Sequence, residues 1–227
     1  MLTKKYKSEV ISIINHFEGI YTLELKSLGR KFKYHPGQFL HLSIDDTYDG
    51  IGQWPDSRCF SMQSNPTEEN IKITYAVKGR YTKKMKEMLS EGSEIWLKLP
   101  YGDLFTQSHN KTNTVFIAGG TGITPFLSLF THDSFNQYIN PKIYLGFRSK
   151  SFNTYNDEIN SSHNQTKFVK IFNEDIDGII DIRSIFAANG PTNNYFISGP
   201  PLMIKTFKNE LILCGVPKEN ILTDDWE

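Results

Sequence analysis

A chain of 227 residues is long enough for one large or two small domains, each with its own core. Lys plus Arg equals Asp plus Glu at 25 each, so no net charge pulls the chain toward nucleic acid or anionic membrane. No apolar run approaches the ~20 residues of a transmembrane helix, and the basic start MLTKKYKSEV lacks an apolar signal core, so a cytoplasmic protein is expected. With only Cys59 and Cys214, a disulfide framework is not expected and a four-cysteine iron–sulfur cluster within this chain is excluded. The six His are scattered and no HExxH or CxxC occurs, so no metal site is expected.

The first ~105 residues read as short strands separated by turn residues, the pattern of sandwiches and barrels. EVISIINHFEGIYTLELKS gives two strands around an exposed turn. FLHLSI (Phe39 to Ile44) alternates. NIKITYAV (Asn70 to Val77) and EIWLKL (Glu94 to Leu99) add two more strands. One helix, TKKMKEMLSEG, interrupts them, with Met85, Met88 and Leu89 on one face and Gly92 at its end.

The polar stretch TQSHNKTNT (Thr106 to Thr114) reads as a linker, which divides the chain into domains 1–106 and 107–227. Beyond it TVFIA, KIYLGF, KFVKIF and NYFIS are apolar, β-branched and aromatic runs with helical segments between them. That alternation predicts a doubly wound parallel sheet.

Three short segments carry chemistry. In RCFS, Arg58 offers a planar fork of donors suited to phosphate, and alternation puts Phe60 on the same face, where a ring can stack. Ser61 can donate to a ring nitrogen. An ordinary strand with an exposed arginine fits RCFS equally. In GRYT, Gly79 allows close backbone approach and Thr82 is an expected N-cap, leaving N–H groups for a pyrophosphate; a plain capped surface helix is the alternative. In GGTGITP, Gly119, Gly120 and Gly122 permit a tight turn, with Thr124 as N-cap and Pro125 at the first helical position. YFISGPPLMI repeats the strand–turn–helix logic, with Pro201 opening a helix whose Met203, Phe207 and Leu211 share a face and which Gly215 and Pro217 end.

The order of these segments resembles the ferredoxin–NADP reductase superfamily of flavin-dependent reductases, nearly end to end from PGQF at Pro36 to Trp226. RCFS resembles its Arg-x-Tyr-Ser motif with Phe for Tyr, and GRYT its Gly-x-x-Ser/Thr. PYGDLF (Pro100 to Phe105) resembles a structural Pro-x-Gly-x-Phe. GGTGITP resembles its nicotinamide-dinucleotide turn, and ISGPPLM its Cys-Gly-Pro-Pro-x-Met with Ser198 in place of Cys. TDDW resembles its Glu-x-aromatic terminus, with Asp224 for Glu. The resemblance implies an antiparallel flavin-binding β-barrel followed by an α/β nucleotide-binding domain. It implies flavin contacts from Arg58, Cys59, Phe60, Ser61, Tyr75, Ala76, Val77, Gly79, Arg80, Tyr81 and Thr82. It implies nicotinamide-nucleotide contacts from Gly120, Thr121, Gly122, Thr124, Pro125, Gly199, Pro200 and Met203. Ser61, Ser198 and Trp226 are the residues implied at the reacting rings. Trp226 either covers the flavin or anchors the tail. Arg148, after KIYLGF, either meets the adenosine ribose or its phosphate, or belongs to a solvated loop, so NADH and NADPH both stay open.

The expected activity is hydride transfer from NAD(P)H to bound FAD, with FMN as an option, and then electron transfer to an acceptor. That acceptor could be a ferredoxin, a flavodoxin, an oxygenase component, a cytochrome or a free iron complex. The alternative is a non-catalytic nucleotide-binding or electron-transfer subunit of a larger complex, an option that Ser198 keeps open.

Overall fold

A computed structural model describes residues 2–17, 19–164 and 166–224. Its chain divides into two units, Met1–Asp103 and Leu104–Glu227. The first holds strands β1 (Lys4–Phe17), β2 (Ile20–Ser27), β3 (Phe39–Ser43), β4 (Arg58–Ser61) and β5 (Ile71–Ala76). Helix α1 (Arg80–Met88) and strand β6 (Glu94–Tyr101) complete it.

These six strands form one sheet in the order β4-β3-β6-β1-β2-β5, antiparallel throughout. Period-two alternation turns Leu40 and Leu42 of β3, Ile71, Ile73 and Tyr75 of β5, and Ile95, Leu97 and Leu99 of β6 inward. Fully burying each such side chain stabilises by roughly 1.5–3 kcal/mol. The sheet nearly closes on itself where the chain beyond β4 meets β5. There the Gln63 N–H donates to the Lys72 carbonyl (2.8 Å), and the Lys72 N–H donates to Ser64 Oγ (3.0 Å). Tyr81 and Met85, one turn apart on α1, pack into the same core.

Helix α1 departs from its expected form at both ends. It starts at Arg80 with Gly79 as N-cap, so Thr82 lies inside the first turn rather than at the cap. Thr82 Oγ1 accepts from the N–H groups of Lys78 (3.0 Å) and Gly79 (3.1 Å), tying the helix start from within. The helix ends at Met88, four residues before Gly92, and Met88 is exposed rather than packed on the apolar face.

The second unit holds β7 (Thr114–Gly119), α2 (Thr124–Phe130), β8 (Lys142–Phe147), α3 (Asn156–Asn160), β9 (Phe168–Asn173) and α4 (Glu174–Asp177). It continues with α5 (Ile182–Asn189), β10 (Asn194–Ser198), α6 (Pro201–Leu213) and β11 (Ile221–Thr223). The strands are parallel, in the order β11-β10-β7-β8-β9. β7 and β10 are buried on both faces because helices cover both. Phe116 and Ala118 pack with Phe126 and Phe130 of α2, while Val115 and Ile117 pack with Ile185 of α5 and Phe207 and Leu211 of α6. On α6, Ile204 joins Phe207 and Leu211 in the core, whereas Met203 is only half-buried.

The expected linker is not loose, because residues on either side of it belong to the second unit. Leu104 and Phe105 pack in its core. His109 Nδ1 donates to the Gln107 carbonyl (2.7 Å), which leaves Nε2 to accept from the Tyr138 hydroxyl (2.6 Å). The Asn110 carbonyl accepts from Thr114 Oγ1 (2.9 Å) and Asn194 Nδ2 (3.0 Å). Among the described residues, no helix is long and apolar enough to cross a membrane, and no group of three His, Cys, Asp or Glu could hold a metal ion.

Candidate functional site

In the first unit two sequence motifs meet. β4 pairs with β3 so that Arg58 lies opposite Leu42, Cys59 opposite His41 and Phe60 opposite Leu40. The exposed Arg58 guanidinium lies 4.8 Å above the ring of Tyr81, in the first turn of α1. It bonds Asp56 Oδ1 (2.8 Å) and the Ser57 carbonyl (2.6 Å). Tyr81 is fixed in turn. Its hydroxyl donates to the Leu42 carbonyl (2.8 Å) and accepts from the Ile44 N–H (3.2 Å), and burial pushes its phenol up to about 12.

The start of α1 is therefore flanked by exposed Lys78, Arg80 and Arg58, with no acidic residue in its first turn. Gly79 is open, since a Cβ there would touch nothing within 4 Å. Unpaired helix-start N–H groups beside a guanidinium fit the diphosphate of a dinucleotide. Asp56 was not singled out from the sequence, although its place two residues before Arg58 was a usable signal.

The ring-binding candidates are more enclosed. Phe60 is 9 % exposed and belongs to the barrel core, 6.0 Å from the ring of Tyr75, which stacks on Tyr21 at 5.6 Å. Burial pushes the Tyr75 phenol up to about 12. Ser61 is buried, and Ala76 and Val77 are half-buried at the end of β5. Cys59 faces away from Arg58, with Sγ 3.5 Å from His41 Nε2. Burial raises the thiol, against the pull of Arg58, and burial also lowers the imidazole with help from Lys98, so the pair is neutral rather than ionic.

In the second unit the chain runs from β7 to β8 and β9 on one side, then returns to β10 and β11 on the other. The carboxyl ends of β7 and β10 thus flank the topological switch point, where open α/β sheets bind ligands. The two glycine turns lie there against each other. A Cβ on Gly122 would sit 2.5 Å from the Cα and N of Gly199. One on Gly119 would sit 2.8 Å from Met203 Sδ. Gly120 adopts φ +54° and Gly199 φ +149°. Only residues without a Cβ let these turns touch, and the result is a backbone-lined cradle suited to a nucleotide.

Thr121 and Gly122 lie in a 3-10 turn, Gly120–Ile123, that precedes α2. Thr124 is the first residue of α2 rather than its N-cap; its Oγ1 donates back to the Thr121 carbonyl (2.9 Å), and Pro125 follows as the second. Pro200 caps α6 and Pro201 opens it. Ser198 is buried, and its Oγ donates to Asp224 Oδ2 at 3.1 Å. The Asp224 N–H is held by the Ile197 carbonyl (3.0 Å), beyond the β10–β11 pairing. This pairing was not legible in the sequence, because β11 is only three residues long. Arg148 is exposed at the end of β8, its guanidinium 5.8 Å from the Phe152 ring. Trp226 lies outside the described residues.

Comparison with known proteins finds relatives that share the two-unit fold. The reductase component of propane 2-monooxygenase from Mycolicibacterium goodii is 24% identical over 97% of this chain, which spans 67% of that protein. The ferredoxin reductase in carbazole 1,9a-dioxygenase superposes with a TM-score of 0.78 at 19% identity, covering 100% of this chain and 70% of that one. A ferredoxin NADP+ reductase from Neisseria gonorrhoeae, solved with FAD and NADP, gives 0.77 at 16% identity and 98% coverage of both chains. At these identities the structural likeness is one of fold, an antiparallel barrel followed by a parallel α/β sheet. A family model for the FAD-binding domain matches residues 5–175, well over half of the sequence. The chain belongs to the FAD-binding domain family, on the two-unit fold of the ferredoxin–NADP reductases.

Proposed function

We propose that this chain is a cytoplasmic NAD(P)H-dependent flavoprotein reductase that delivers electrons to an acceptor such as an oxygenase component or an iron–sulfur protein. The bound flavin supplies the redox chemistry, taking up a hydride and giving out electrons singly or in pairs. The protein's own part is binding and orientation. Arg58 and the first turn of α1 hold the diphosphate, exchanging the Asp56 carboxylate for phosphate oxygens. Ser61, Ala76 and Val77 edge the flavin ring. The Gly120–Gly122 and Gly199–Pro200 turns take the nicotinamide nucleotide, with Met203 packed behind them. Ser198 meets the nicotinamide and Asp224 holds its hydroxyl. Arg148, exposed after β8, takes the adenosine ribose or its phosphate.

The observation that carries this reading is the guanidinium of Arg58 above the ring of Tyr81, residues 23 positions apart in sequence brought into one anion site. A second reading, a non-catalytic electron-transfer or nucleotide-binding subunit, rests on Ser198, a poorer partner for hydride transfer than a polarizable thiol.

Purified protein is expected to be yellow, with about one flavin per chain, and to bleach under anaerobic NADH or NADPH. Colourless protein that neither FAD nor FMN reconstitutes would overturn the flavin assignment. Flavin-loaded protein that neither nucleotide reduces would favour the second reading.

A further inference from the structure

The parallel sheet of the second unit ends at β9, which pairs with β8 and has no strand on its other side among the described residues. The Phe168 N–H donates to the carbonyl of Pro141, just before β8 (2.9 Å). Backbone groups alternate sides along a strand. Phe168, Lys170 and Phe172 therefore bond toward β8, while Val169, Ile171 and Asn173 face outward. The Asn173 N–H is taken by Asp177 Oδ2 (2.9 Å). No described residue takes the outward N–H and C=O groups of Val169 and Ile171. Such a row invites a further strand.

The side chains around this edge say which strand. Lys167 and Lys170 lie at its amino end, and the exposed Glu174, Asp175 and Asp177 of α4 follow its carboxyl end. Basic at one end and acidic at the other, the segment is complementary to itself run in reverse. Apolar side chains are exposed at both ends as well, Phe168 by 49 % and Ile176 and Ile179 by 77 % and 75 %. A neighbour running antiparallel would cover them in exchange for its own.

We propose that β9 pairs antiparallel with β9 of a second copy of this chain, joining the two sheets edge to edge about a two-fold axis. Such an axis keeps residues of the same face opposite each other, so it passes through a residue position rather than between two. With Lys170 on the axis, two ammonium groups would lie directly opposite, which is unfavourable. With Ile171 on the axis, each Ile171 exchanges both backbone bonds with its counterpart, and each Val169 N–H reaches the Asn173 carbonyl of the other copy. Lys170 then lies opposite Phe172 instead of a like charge. It already sits over its own Phe172, with Nζ 4.7 Å from the ring centroid. The same register carries Lys167 and Lys170 of each copy toward Glu174 and Asp175 of the other. An edge lysine that would block other registers thus selects this one.

The test is sedimentation equilibrium of the full chain as purified, over about 1–100 µM, since dimerisation follows protein concentration. The mass is expected to rise from that of one chain to that of two. Lys170→Glu and Glu174→Lys, both at exposed positions, should each raise the dimer dissociation constant about tenfold, because each change acts twice across the axis. The two substitutions together should restore it. Circular dichroism melts check that every variant is folded. A single-chain mass at all concentrations would overturn the proposal. So would a dimer that neither single substitution weakens, since the copies would then meet elsewhere. A double variant no tighter than the single ones would refute the antiparallel pairing. None of these readouts depends on flavin or nucleotide binding.

Discussion

Replacing Gly122 with alanine tests whether the touching turns of the second unit form the nucleotide cradle. The added methyl would lie 2.5 Å from the Cα and N of Gly199 and 2.7 Å from the Ser198 carbonyl carbon. All three are backbone atoms at the end of a strand buried on both faces, so no side chain can swing away. The turns must separate by roughly 1 Å to reach ordinary contact. Overpacking of this kind costs about 1–3 kcal/mol. At roughly 2–4 °C per kcal/mol for a chain of this size, a middle value lowers the melting temperature by about 4–8 °C.

Gly120→Ala is the internal comparison. Its Cβ meets nothing within 4 Å, and only the left-handed φ of +54° is unfavourable, at about 1 kcal/mol and roughly 2–4 °C. Thermal unfolding gives the stability ranking, and titration of flavin-loaded protein with NAD+ and NADP+ gives the binding. Gly122→Ala should be the less stable of the two and should bind nucleotide at least tenfold more weakly than wild type. Unchanged nucleotide affinity in Gly122→Ala, or a larger stability loss in Gly120→Ala, would refute the cradle argument.

Other perturbations follow from single contacts. Arg58→Ala should weaken flavin binding by about 1.5 kcal/mol, near tenfold, the low end for a charge-assisted bond because the side chain is half exposed; equilibrium dialysis of flavin against apoprotein measures it, and an unchanged constant would remove Arg58 from the anion site. Burial holds the His109 imidazole below its ordinary value of ~6.5, with the Gln107 carbonyl opposing and Lys111 assisting. The unfolded chain therefore takes up the proton first, so stability is full above pH ~6.5 and falls as pH drops from there toward the lower folded value. His109→Gln should flatten part of the fall in melting temperature between pH 7 and 5, and an unchanged slope would show that His109 is not its source. Ser198→Cys should speed anaerobic flavin reduction about tenfold in stopped flow, ~1.4 kcal/mol of barrier, if the polarizable thiol is what this position lacks; an equal or slower rate would retire that idea.

How far the sequence could be read depended on how local each signal was. Strands β1 to β10 were legible because alternation or a continuous apolar run is written into each of them. Pro201 opens α6 as expected, but the starts of α1 and α2 were misjudged by a residue or more. A threonine at a helix start suits both the cap and the first turn, and which it takes depends on where the preceding strand releases the chain. Thr82 and Thr124 both went to the first turn. Strand β11 was invisible, since three residues make a strand only when β10 lies alongside to pair with them. His109 looked like a polar linker residue until the Tyr138 hydroxyl and the Phe196 ring, 4.9 Å away, defined its surroundings.

By itself the sequence determined the class of each half, the order of its elements and the residue types fit for phosphate, ring and nucleotide. These follow from side-chain periodicity and from the chemistry of Arg, Gly and Pro, which travel with the residue wherever it lies. Only the tertiary structure decided which of those residues meet. It set Arg58 over Tyr81, Gly122 against Gly199 and Ser198 on Asp224. Each of these pairs residues from different strands or turns, and such distances are set by strand register and packing rather than by spacing along the chain.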